Sequence, residues 1–124
     1  MSLSDYEELR LLNYETSTVQ WVGLSTADPT DDASGLAEPS GNAYARVEIP
    51  SSYWGDAAAG AVANTTAITF PRATGSWGTV THFAIFDAAT GGNMKRHGAL
   101  DASLAVTSGI RPVFAVGALT LVLG

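Results

Sequence analysis

With 124 residues, 46% of them apolar and only 15% charged, the chain has material for one real core. It is too apolar for disorder and sparsely charged for a free-standing surface. Six Lys and Arg against twelve Asp and Glu give a net charge of −6, which excludes the basic footprint of a nucleic-acid binder; with no cysteine, disulfide frameworks and thiolate zinc sites are excluded too. The longest apolar run, Val113 to Leu123, is broken by Gly117 and Thr120 and falls short of the ~20 residues of a bilayer span. The acidic start carries no signal-peptide core, so no membrane partner is expected and assembly in a cytoplasm is.

In chain order, Ser4 to Glu7 has the spacing of a capping box, and a short helix is predicted from there to about Tyr14, with Tyr6, Leu9 and Leu12 on one face. That face packs on its own domain or docks on a neighbour. A strand is predicted over Thr18 to Ser25, then a long structureless segment, Thr26 to Ala43, with four acidic residues, Pro29 and Pro39. Further strands are predicted at Tyr44 to Ile49, weakly at Gly60 to Asn64, and at Thr66 to Phe70. Loops carrying Tyr53, Trp54 and Trp77 separate them. The clearest element is the strand Thr79 to Asp87, β-branched and aromatic on both faces, which predicts a central strand. A Gly-Gly-Asn turn returns it into a strand from Met94. Leu104 to Thr107, Val113 to Phe114 and Ala118 to Leu123 complete the set. Short strands at this spacing predict a mainly β, antiparallel sandwich or jelly roll, with residues 1–16 a helical arm and 17–124 a single β-domain.

Few residues suggest chemistry. Asp28, Thr30, Asp32 and Ser34 alternate as in a calcium loop, but Gly35 and Pro39 stand where that loop needs other residues, so Asx-type turns are the expectation. His82 and His97 have no partner at metal-ligand spacing. The acidic residues that might pair for glycan hydrolysis share one loop, which argues against an enzyme. Neither a cofactor nor a metal is expected. The large rings of Trp54 and Trp77, in glycine-containing loops, are either satellite-core plugs or interface anchors. An interface is therefore expected to draw on Tyr6, Leu9, Leu12, Asp28, Pro29, Leu36, Pro39, Tyr53, Trp54 and Trp77.

The strings LSTADPTDDASGLAEPSGNAYARV (Leu24 to Val47) and ITFPRATGSWGTVTHFAIFDAATGGNMKRHGAL (Ile68 to Leu100), with LSDYEELRLLNY near the start and ALTLVLG at the end, resemble a family of small tailed-bacteriophage virion proteins often labelled phage tail fibre proteins. The resemblance covers most of the chain and implies a structural role in a virus particle. A single repeat-free domain makes a poor fibre shaft. The first expectation is therefore a capsid decoration, or cement, protein that binds the major capsid protein or other virion proteins as a homotrimer. A tail-fibre or baseplate component, and a host-surface glycan-binding module built on the loop aromatics, are the alternatives.

Overall fold

A computed structural model describes residues 2–123. Helix α1 spans Asp5–Thr16. The strands are β1 (Gln20–Ser25), β2 (Val47–Ile49), β3 (Ala61–Ala63), β4 (Ile68–Thr69), β5 (Gly78–Phe86), β6 (Met94–Val106), β7 (Val113–Phe114) and β8 (Thr120–Val122). The chain is mainly β, with antiparallel ladders and one N-terminal helix, consistent with the expected sandwich class. It forms two compact units of interleaved segments: unit 1 holds residues 1–19, 49–68 and 113–124, and unit 2 holds 20–48 and 69–112.

Unit 2 is built around β5. The sheet order β2-β1-β5-β6 puts β5 between β1, where Val22 faces Ile85, and β6, where His97 faces Ala84. The β-branched and aromatic residues that mark β5 in the sequence thus fill a central position: Val80, Ala84, Ile85 and Phe86 are buried. The strand expected separately at Leu104 to Thr107 is the far end of β6, with Leu104 facing Val80 and Val106 facing Gly78. Two register shifts interrupt the β5–β6 ladder. In the β5–β6 turn, Asp87 caps the reversal by accepting from the Asn93 backbone and side-chain amides at 2.7 and 2.9 Å. These bonds hold the Asp87 carboxyl below its usual range. Gly92 sits at φ +70°, and a Cβ there would collide with the Asp87 carboxylate, so only glycine closes this turn.

The long loop lies on the β1–β5 surface because Gly23 leaves room. A Cβ at Gly23 would meet Glu38, the Tyr44 hydroxyl and Arg46 within 3.3 Å. The loop is ordered by its own bonds. Ser25 Oγ donates to Ala27 O and accepts from the Ala37 amide at 3.0 Å. Asp28 and Asp32 each accept a backbone amide two residues on, the expected Asx turns. The strand expected from Tyr44 starts only at Val47, because Tyr44 and Arg46 turn to Glu38 rather than entering a ladder.

Unit 1 joins α1 to the β3–β8 ladder, in which Val62 faces Leu121, both buried. Its polar hub is Asn64, 1% exposed. The Asn64 side chain donates to Thr66 O and Ala115 O and accepts from the Leu119 amide, so the buried amide is fully paired.

Candidate attachment surface

Helix α1 starts as its sequence requires: Ser4 Oγ accepts from the Glu7 amide at 3.2 Å. The capping box is only half made, because the Glu7 carboxylate turns to Arg10 in a bidentate pair at 2.6 Å. That bond keeps the Glu7 carboxyl below its usual range.

The expected grouping of Tyr6, Leu9 and Leu12 on one face is corrected. At about 100° per residue, Leu12 lies roughly 120° round from Tyr6. Accordingly, Leu12 is fully buried while Tyr6 is 74% exposed. The outward stripe is Tyr6, Arg10 and Tyr14, at i, i+4 and i+8, with Tyr14 72% exposed and Leu9 on its flank. Tyr14, absent from the expected interface set, was recoverable from that spacing.

Exposed large apolar residues concentrate in this unit. Among the described residues, Leu3, Tyr6, Leu9, Tyr14, Val19, Val113, Val116 and Val122 belong to unit 1, and only Leu104 and Ile110 to unit 2. Tyr and Arg are the side chains that anchor protein interfaces.

Beside α1 is a groove of about 440 Å³. Leu9 and Ala57 to Gly60 line it with Asp5 and Glu8. Its floor is a tight reversal: the Ala58 and Ala61 amides and carbonyls exchange bonds at 2.9 and 3.0 Å, with Ala59 at φ +53° and Gly60 at +75°. The Glu8 carboxylate lies against Gly60, 3.1 Å from where a Cβ would stand.

The remaining expected interface residues divide between surface and interior. Trp54 is 7% exposed and Trp77 4% exposed, so the core-plug reading of both holds and surface anchoring is corrected. Trp77 donates from Nε1 to Asn42 O at 2.9 Å and meets the Tyr44 ring edge-on at 5.2 Å. Pro29 is likewise buried, under the turn in which the Gly35 amide bonds its carbonyl. Leu36, Pro39 and Tyr53 are half-buried, and Asp28 is exposed.

The densest charged network is in unit 2. Arg46 Nε and Nη2 donate to both Glu38 oxygens at 3.0 and 2.7 Å, and Nη1 donates to Ala88 O and Gly91 O. Its guanidinium stacks 3.4 Å over Phe86. Tyr44 donates to Glu38 at 2.6 Å and accepts from the Leu24 amide. Burial, and then the Glu38 carboxylate, push the Tyr44 phenol well above its usual value. Pro39, Trp21 and Thr90 line an open groove of about 530 Å³ next to this network. His97 Nε2 lies 2.8 Å from Asp31, tying the loop to β6. His82 Nδ1 bonds Thr81 Oγ1 at 2.8 Å. Among the described residues no three His, Asp or Glu side chains converge as metal ligands.

A protein-family model described as Podophage GP4 fiber I protein gp80 matches residues 3–122. No curated protein matches the chain.

Proposed function

From the premise that the chain belongs to the podophage GP4 fiber I protein gp80 family, a family of phage virion fibre proteins, we propose that it is a tail-fibre-associated structural subunit that performs no reaction. It is held to the particle through the outward side of α1. The observation that carries this reading is the concentration of exposed apolar side chains in unit 1, with Tyr6 and Tyr14 about three-quarters exposed on either side of Arg10. A capsid-decoration role fits the family description less well than a fibre-associated one.

A structural rather than catalytic use of unit 2 is supported by the way its charged groups are spent. Glu38, Arg46 and Tyr44 satisfy one another and fix a loop to the sheet, which leaves none of the three poised for acid–base work. The test is a Tyr6→Ala/Tyr14→Ala double variant that melts with the wild type. It is expected to be depleted from purified virions, and antibody labelling should put the wild-type protein on the tail. Full incorporation of the double variant, or labelling over the whole head, refutes the reading.

A further inference from the structure

The groove beside α1 lies next to the proposed attachment face, and the occupant assigned to it rests on that reading. We infer that this groove receives a lysine or arginine side chain from a neighbouring virion protein. Its aliphatic stem rests on Leu9 and the Ala57–Ala59 floor, and its cation reaches Asp5 and Glu8.

Three observations converge on that occupant. The first is shape: alanines and a glycine leave a trough of about 440 Å³, with volume enough for a flexible side chain with an apolar stem. The floor is also fixed. Ala59 holds φ +53°, a conformation that glycine or asparagine adopts at lower cost, and the reciprocal Ala58–Ala61 bonds keep it there. The second is charge. Unit 1 carries five carboxylates, Asp5, Glu7, Glu8, Glu15 and Asp56, against the single cation Arg10, a side-chain balance of −4. Arg10 is already committed to Glu7 through two bonds at 2.6 Å, so unit 1 offers no second basic side chain to Asp5 and Glu8, and their charge is open to a cation from a partner. The third is that the same balance disfavours the obvious alternative. Two copies meeting through this face would set one −4 unit against another, and like charges across an interface are repelled.

The experiment compares virions assembled with wild-type chain, Asp5→Asn/Glu8→Gln, and Ala58→Leu, which fills the floor without touching charge. Particles are washed at rising NaCl, and the copies retained are quantified against the major capsid protein. Wild-type retention is expected to fall with salt. The charge variant should be retained about three- to tenfold less at low salt and respond little to further salt. Ala58→Leu should be retained less at every salt while melting with the wild type.

A charge variant retained like the wild type, with the same salt response, overturns the inference. So does carbodiimide coupling that joins Asp5 or Glu8 only to a second copy of this chain. If the wild-type protein is missing from virions altogether, the fibre reading fails. If only Tyr6→Ala/Tyr14→Ala is lost from particles, the fibre reading stands and this one falls.

Discussion

Replacing Arg46 with methionine is expected to destabilise unit 2 by about 3 kcal/mol. Methionine keeps an unbranched apolar stem but removes the guanidinium stacked over Phe86 and its four donors: two to Glu38 and one each to Ala88 O and Gly91 O. Breaking one side of a buried pair costs about 3–5 kcal/mol because a charge is stranded. The Arg46 side chain is 8% exposed, but Glu38 is 19% exposed and still receives the Tyr44 hydroxyl, which places the cost at the low end. Removing the stranded charge as well, in Glu38→Leu/Arg46→Met, should recover about 1–2 kcal/mol relative to the single variant. In urea, with a slope of about 1.5 kcal/mol/M, the single variant should lower the midpoint by about 2 M. Amide exchange along Trp21–Ser25 assigns the loss to this unit, since that strand lies under the loop. A midpoint shift below about 0.5 M, or a double variant no better than the single one, would show that the pair is only a surface contact.

Gly35→Ala should loosen the long loop by about 1–3 kcal/mol, because its Cβ would collide with the Asp28 carbonyl oxygen; faster proteolytic nicking between Thr26 and Arg46 is the readout. Trp54→Ala should cost about 3–5 kcal/mol as a core truncation, whereas a wild-type melting temperature would return Trp54 to the surface. Because the Tyr44 phenol is raised, its contribution is complete below pH ~10 and is lost as pH climbs past that value. Tyr44→Phe should flatten this alkaline loss in urea titrations. Asp32, held down to about 2 by Ser34 and Thr30, contributes above pH ~4 and loses that contribution as pH falls toward 2. An Asp32→Asn variant should lack this acid dependence.

What the sequence disclosed was local. Ser4 as a cap, the Asx turns at Asp28 and Asp32, and β5 with its Gly-Gly-Asn reversal each follow from residues a few positions apart. What it concealed depends on contacts distant along the chain. The strand pattern from Tyr44 is sound, but Glu38 takes Tyr44 and Arg46 out of the ladder. Rings in glycine loops read equally as plugs or anchors until Trp77 is seen bonding Asn42, 35 positions away. For α1 the needed signal was present but mis-grouped: three-residue steps carry the eye off the face, whereas four-residue steps from Tyr6 lead to Arg10 and Tyr14.

The interleaving of the two units makes them unequally sensitive to a cut in the chain. Unit 2 has all of its segments within residues 20–112, whereas unit 1 draws on residues 113–124 to complete the ladder that accompanies α1. A fragment ending at Pro112 would therefore keep every segment of unit 2 while the helix that bears the aromatic stripe lacks β8. Severing the backbone there is expected to abolish attachment and spare the larger sheet.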